Sequence, residues 1–312
     1  LSRAGEQAGK EVKGMKITVL GKGAWGKALG EILQTRGHDV HWVEKGGREI
    51  PKGTDLIWIA LPTQVVREVL QSLHSFAGIC PVVNLSKGIE ISTGQRVSEI
   101  VGHVWPGTPV AVVSGPSLAA ELVQRVPTAL VAAAQEESLA TSVQAALHGT
   151  ALRVYRSTDL AGVEWGGALK NVYALAAGMC VGLGLGENSL AGLTTRSLRE
   201  MTRVAVQFGA REETLQGLSG IGDLLLTSYS QASRNRRVGQ RIGKGDSLEK
   251  AIASVEGVCE GVWTTQALHK MLARKHVEAP VAHQLYQVLF EGKSPKEGLT
   301  SLLDRDSKAE AE

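Results

Sequence analysis

The chain of 312 residues has only three cysteines, Cys80, Cys180 and Cys259, and no two of them form a C-x-x-C pair. That spacing excludes a disulfide framework and an ordinary structural zinc site, and it fits a reducing cytoplasm. Long hydrophobic runs are missing too. The longest charge-free stretch of note, Asn171 to Gly186, has 16 residues and is broken by four glycines. It is too short and too interrupted to span a bilayer, so stable membrane insertion is not expected. Net charge is only +3, which gives no global field for nucleic acid or an acidic membrane. Metal-ligand spacing is also lacking. His269, His276 and His283 recur every seven residues rather than at i, i+4, and they read as helix-surface residues.

What is present is the balance of a globular protein, 43% hydrophobic and 21% charged, with enough length for two ordinary domains. Glycine is abundant at 37 residues, which points to tight turns and close backbone approach to ligands. The polar stretch Leu1 to Gly14, ahead of Met15, reads as a loose tail or expression remnant.

Short apolar runs alternate with helical patterns in the first half. Candidate strands are Lys16–Leu20, Val40–Val43, Asp55–Ala60, Val82–Leu85, Val110–Ser114, Thr128–Ala133 and Leu152–Tyr155. Several are nearly continuous in Val, Ile and Leu, as strands buried on both faces require. Patterns such as Ala24–Arg36 and Thr63–Leu73 separate them as helices, which gives βαβ units and a parallel sheet. After about Ser157 the β-branched runs stop and long helical patterns take over. The expected architecture is a Rossmann-type doubly wound α/β domain over 15–157, then an all-α domain over 158–303, then a charged tail over 304–312.

The turn Gly21-Lys22-Gly23-Ala24-Trp25-Gly26 follows the first strand and opens a helix, which is G-x-G-x-x-G in its required context. Gly21 permits the tight turn, Gly23 lets backbone approach a pyrophosphate, and Gly26 lets helix and strand pack closely. Glu44 ends the second strand, where a carboxylate would bind the ribose hydroxyls of NAD and repel the 2′-phosphate of NADP. Lys45 and Arg48 follow at once and could neutralise that phosphate. NAD is favoured, and NADP stays open.

Chemistry-bearing residues recur at strand ends and in the helical half. Asn84-Leu-Ser86-Lys87-Gly88 and Ser114-Gly115-Pro116-Ser117 each end a parallel strand, beside the crevice where α/β sheets bind ligands. Lys87 offers a cation, Ser117 a hydrogen bond and Gly115 close backbone approach; each is also an ordinary strand-end turn. Lys170 lies in an apolar helix, Glu164-Trp-Gly-Gly-Ala-Leu-Lys170-Asn171, where desolvation lowers an amine toward the range useful for proton transfer. A snorkelling structural lysine is the plainer alternative. Asp223 sits among apolar residues and needs a cationic partner. The run Ser233-Arg234-Asn235-Arg236-Arg237 offers bidentate phosphate binding, or a solvated helix face.

Together these motifs resemble the NAD(P)-dependent glycerol-3-phosphate dehydrogenase family, soluble bacterial type. The likeness runs from Met15 to about Leu303. It rests on G-K-G-A-W-G, N-L-S-K-G, S-G-P-S, E-W-G-G-A-L-K-N-V, G-I-G-D-L, S-R-N-R-R and V-C-E-G. The resemblance implies reversible hydride transfer between NAD(P)H and dihydroxyacetone phosphate, giving sn-glycerol 3-phosphate for glycerophospholipid synthesis. Lys170 matches the family's catalytic lysine, a general acid and base, and Lys87 a contact to both cofactor and substrate. Gly115, Ser117, Asp223, Ser233, Arg234 and Asn235 match substrate-binding positions, as do Asn171 and Thr227 near the phosphate and the reacting end. Trp25, Ala119, Arg234, Val258 and Glu260 match cofactor contacts, beside Gly21, Gly23, Ala24, Gly26 and Glu44 of the loop. A cytoplasmic homodimer is expected.

The chain departs from that pattern twice. The segment from Glu44 to Asp55 is short, with only Ile50-Pro51 left of it, and Glu44 stands where a neutral or basic group is usual. Two other functions remain: a related hydroxyacid dehydrogenase acting on a carboxylate, and a non-catalytic dinucleotide sensor.

Overall fold

The structure, a computed structural model, describes residues 14–47, 49–306 and 309. Arg48, residues 1–13 of the tail expected over 1–14 and all but 309 of the chain after 306 lie outside the described residues.

Seven strands form one sheet: β1 (Lys16–Leu20), β2 (Asp39–Val43), β3 (Leu56–Ile59), β4 (Val82–Asn84), β5 (Val110–Ser114), β6 (Thr128–Ala134) and β7 (Leu152–Ser157). Their spatial order is β2-β1-β3-β4-β5-β6-β7. The four residues of β3, Leu-Ile-Trp-Ile, are all buried, as continuous apolar runs in a sheet covered on both faces must be. Helices interleaved with them are α1 (Ala24–Thr35), α2 (Val66–Ser72), α3 (Val97–Val104), α4 (Ala119–Val123) and α5 (Glu137–Leu147).

The sheet is not wholly parallel, contrary to expectation. β6 runs antiparallel to β5, with Val112 opposite Ala133, while β7 is again parallel to β6. The only helix between β5 and β6 is α4, five residues long. At 1.5 Å per residue it covers about 7 Å, too little to carry the chain back along the sheet as a parallel crossover requires.

The connection from β2 to β3 holds no helix among the described residues, in keeping with its shortness. Ile50 is buried with Val43, Ile57 and Val66 and fills part of the space instead. Thr54 Oγ1 donates to the Pro51 carbonyl at 2.7 Å, and it meets Thr18 Oγ1 of β1 at 2.9 Å.

The later elements are all helical: α6 (Leu160–Gly182), α7 (Glu187–Gln207), α8 (Glu212–Leu215), α9 (Asp223–Tyr229) and α10 (Arg234–Gly243). They continue with α11 (Leu248–Ala253), α12 (Glu260–Lys275), α13 (Pro280–Phe290) and α14 (Pro295–Leu303). The 23-residue α6 is buried almost all round and is the core of this half. Its Asp159 side chain caps the first turn by accepting from Gly162 N. α10 crosses α6 at close range. A Cβ at Gly178 would meet the Arg236 carbonyl, and one at Gly239 the Leu175 carbonyl, so the crossing requires glycine on both helices. No helix among the described residues is long and apolar enough to cross a membrane.

Two of the helix-surface histidines have particular surroundings. His269 is stacked on Tyr286 at 3.6 Å between ring centroids and is half-buried. His276 ends α12 in the left-handed conformation, with φ 52°.

Candidate active site

Gly21, between β1 and α1, has φ 96°, and a Cβ there would sit 2.7 Å from the Ala60 carbonyl oxygen. A Cβ at Gly26 would meet the Gly21 carbonyl at 2.6 Å, so the helix packs on the turn only with glycine there. At Gly23 a Cβ would meet no protein atom within 4 Å. That face of the loop is open to a ligand. Gly23 caps α1 with no side-chain acceptor, and Ala24 and Trp25 begin a first turn without an acidic residue. The turn's amides and the helix dipole therefore suit an anion such as a pyrophosphate. The indole Nε1 of Trp25 is buried without a partner.

The loops after β3, β4 and β5 reach the same edge of the sheet. After β4, Asn84 shapes the turn: its Oδ1 accepts from Ser86 N at 2.8 Å, and its Nδ2 donates to Ser86 O at 3.2 Å. The turn delivers Lys87, whose Nζ donates to Asp223 Oδ2 at 2.6 Å and to the Gly115 carbonyl after β5 at 3.1 Å. Ser117 Oγ donates to the same Gly115 carbonyl at 3.0 Å. The Lys87 ammonium lies 5.8 Å from the Trp25 ring centroid, which joins this cluster to the phosphate loop. Ala119 opens α4 and packs with Trp25 against one core.

From the helical half, α6 brings Lys170 and Asn171. Lys170 Nζ donates to Asp223 Oδ1 at 2.7 Å and to Thr227 Oγ1 at 2.9 Å. Thr227 Oγ1 also donates to Asp223 Oδ1 at 3.2 Å. Asp223 itself is fully buried. It follows a π-helical turn, Leu218–Gly222, a local irregularity that frequently marks functional sites.

One carboxylate thus holds two ammoniums. Burial pushes Asp223 up, but the Lys170 and Lys87 charges outweigh it and leave the carboxyl below its ordinary value. Burial pulls Lys170 from 10.5 down to about 8, with Asp223 opposing, and Lys87 and Arg234 lowering it further. An amine poised there can give or take a proton near neutrality.

The asparagines are committed to protein contacts. Asn171 Nδ2 donates to Lys87 O at 3.0 Å and Gly167 O at 3.3 Å, which uses both of its N–H groups. Its Oδ1 accepts from Asn235 Nδ2 at 2.8 Å, while Asn235 Oδ1 accepts from Gly261 N at 3.0 Å. Asn235 retains one N–H. Ser233 caps α10 by accepting from Arg236 N, and Arg234 stands exposed on the first turn, beside Gly257. Val258 is half-buried, and Glu260 opens α12.

Glu260 Oε1 accepts from Thr63 N, just after β3, at 2.8 Å, and its Oε2 is buried with no partner. Burial pushes this carboxyl up to about 7. Thr63 was missed from sequence, although it follows a strand end as Lys87 and Ser117 do. Glu44, by contrast, stands away from the lysine cluster, paired with Lys22 at 3.0 Å. Glu164 shows in the sequence only as part of a motif. It accepts from Asn84 Nδ2 at 3.0 Å, Ser98 N at 3.0 Å and Arg96 Nη1 at 3.0 Å, and also from Ser98 Oγ.

Among the described residues no cluster of His, Cys, Asp or Glu could hold a metal. An apolar hollow elsewhere, lined by Met179, Leu193, Leu285 and Leu302, carries no charged side chain.

Residues 47–140 match the N-terminal part, and residues 159–300 the C-terminal part, of NAD-dependent glycerol-3-phosphate dehydrogenase. The chain is 39% identical over 331 positions to the glycerol-3-phosphate dehydrogenase [NAD(P)+] of Chlorobium phaeobacteroides, covering 95% of this chain and 99% of that one. The enzyme of the same name from Syntrophotalea carbinolica is also 39% identical, with the same coverage. The crystal structure of glycerol-3-phosphate dehydrogenase from Coxiella burnetii superposes with a TM-score of 0.88 at 31% identity, over 94% of this chain and 99% of that one. Likeness of this extent, over both halves and the full length of the relatives, establishes that the chain belongs to the NAD(P)-dependent glycerol-3-phosphate dehydrogenase family.

Proposed function

We propose that the protein is an oxidoreductase that interconverts dihydroxyacetone phosphate and sn-glycerol 3-phosphate with NAD or NADP. The observation that carries this is Lys170, buried and held by Asp223 and Thr227 beside Lys87. Relatives bearing the enzyme's name over nearly their whole length support the same assignment.

The glycine loop, Trp25, Ala119, Val258 and Glu260 would hold the dinucleotide, with its pyrophosphate on the turn at Gly23. When bound, a reduced nicotinamide supplies the hydride. Lys170 donates its proton to the carbonyl oxygen as the carbon is reduced, and in reverse it accepts the hydroxyl proton. Asp223 stays ionised and keeps the Lys170 ammonium aimed. Arg234 and the spare N–H of Asn235 bind the phosphate, with Ser233 placing their helix start. Lys87, Gly115 and Ser117 border the reacting end. Binding energy from the phosphate thereby orients the carbonyl, which is worth more at the transition state than in the ground state.

A domain division at the β7–α6 junction, cytoplasmic location and supply of the glycerophospholipid backbone belong to this proposal. So does a homodimer through the helical half, where Val206, Leu225 and Tyr229 are exposed.

The test is loss of reduced-nicotinamide absorbance on addition of dihydroxyacetone phosphate, with 2-keto and 3-keto acids run beside it. Turnover of the phosphate alone is expected. Turnover of keto acids alone, or binding of cofactor without any turnover, would overturn the assignment.

A further inference from the structure

Lys22 occupies the first variable position of the glycine loop, and its Nζ lies 3.0 Å from Glu44 Oε1 at the end of β2. The same ammonium lies 5.7 Å from the Trp42 ring centroid. Backbone geometry fixes this meeting: Gly21 N donates to Val43 O at 3.0 Å, tying the loop to the end of β2 one residue before each member of the pair. Both side chains are exposed, 45% and 66%. An exposed pair of this kind is weak, so either partner is free to exchange to a ligand at small cost.

The carboxyl end of the second strand of such a sheet faces the adenosine ribose of a dinucleotide. A lone carboxylate there accepts hydrogen bonds from the 2′- and 3′-hydroxyls and repels a 2′-phosphate. Lys22 changes that balance, because it neutralises Glu44 in place and brings a cation to the same point. We propose that Lys22 and Glu44 together set cofactor discrimination. Glu44 receives the ribose hydroxyls of NAD, and Lys22 leaves Glu44 to pair with the 2′-phosphate of NADP, so one site accepts both. This rests on the assignment of the glycine loop to a dinucleotide.

The test is calorimetric binding of NAD+ and of NADP+, without substrate, to the full chain and to Lys22→Ala, Glu44→Gln and Lys45→Ala variants, with circular dichroism to establish folding. Adenosine 2′,5′-bisphosphate and AMP serve as fragments that isolate the 2′-phosphate. Lys22→Ala is expected to weaken NADP+ and the bisphosphate about tenfold or more, in line with loss of a charge-assisted contact, and to leave NAD+ within about threefold. Glu44→Gln is expected to move the ratio the other way. Equal weakening of NAD+ and NADP+ in Lys22→Ala would put Lys22 on the shared pyrophosphate and overturn the inference. A larger NADP+ loss in Lys45→Ala than in Lys22→Ala would overturn it too. Failure of the unsubstituted protein to bind either cofactor would remove the dinucleotide assignment itself, which separates that failure from this one.

Discussion

Glu164 Oε1 accepts the side-chain amide of Asn84 at 3.0 Å, across 80 positions of chain. Glu164 sits on α6, six residues before Lys170, and Asn84 ends β4 and shapes the turn that presents Lys87. One buried carboxylate therefore joins the helix carrying one lysine to the loop carrying the other. Arg96 and Ser98 complete its hydrogen bonds from the start of α3.

Removing that carboxylate strands its partners. Glu164→Ala is expected to cost about 2–4 kcal/mol, because it leaves Arg96 Nη1, Asn84 Nδ2 and Ser98 N without their buried acceptor, while Arg96 keeps its pair with Glu99. Glu164→Gln keeps the shape and is expected to cost less. Denaturant unfolding of the two variants measures this, and a loss below about 1 kcal/mol for alanine would contradict it.

Lys170→Ala is expected to lower kcat by about 10²–10⁴-fold, the usual worth of a general acid–base group. Cofactor affinity should hold. Lys170→Arg should not restore the rate, since a guanidinium does not release its proton near neutrality. Steady-state kinetics with a separate cofactor titration tests both.

The pH profiles of the two directions should be mirror images. Burial brings Lys170 down to about 8. Carbonyl reduction needs the ammonium, so kcat/KM should fall as pH rises through about 8. Alcohol oxidation needs the free amine, so its rate should rise through the same range. An inflection that survives in Lys170→Ala would assign the titration to another group.

Glu200 of α7 tests stability apart from catalysis. Its carboxylate accepts from Val281 N and Ala282 N at 2.8 Å, capping α13, and from the Tyr173 hydroxyl at 3.2 Å. Glu200→Ala leaves all three donors without it and is expected to cost about 2–4 kcal/mol. Burial pushes the folded carboxyl from 4.5 up to about 7. The folded state then binds the extra proton, so this contribution is complete below about pH 4.5 and is lost as pH rises through about 7. Urea unfolding across that window should show a shallower decline in Glu200→Gln than in the unsubstituted protein.

Much of this was legible in the chain. β1 and β5 fall on the expected residues, and the other strands begin or end within two residues of them, because continuous Val, Ile and Leu runs leave few alternatives. Lys170 stood out because an amine in an apolar helix must be desolvated. The direction of β6 was not legible, since an apolar strand buried on both faces looks the same either way round. Nor were the partners of Glu164 and Glu260. Arg96 and Thr63 are ordinary polar residues until tertiary packing brings them 68 and 197 positions across the chain.

The sequence by itself determined the sheet's strands, the glycine turn that only glycine can build, and the buried helix bearing Lys170, because each depends on local sterics and on hydrophobic patterning. Tertiary structure alone decided that Lys87 and Lys170 share Asp223, that Asn171 holds the Lys87 backbone, and that Lys22 meets Glu44. Those are meetings of polar atoms from distant segments at about 3 Å. They follow from how α6, α9 and the strand-end loops pack together, which no local pattern encodes.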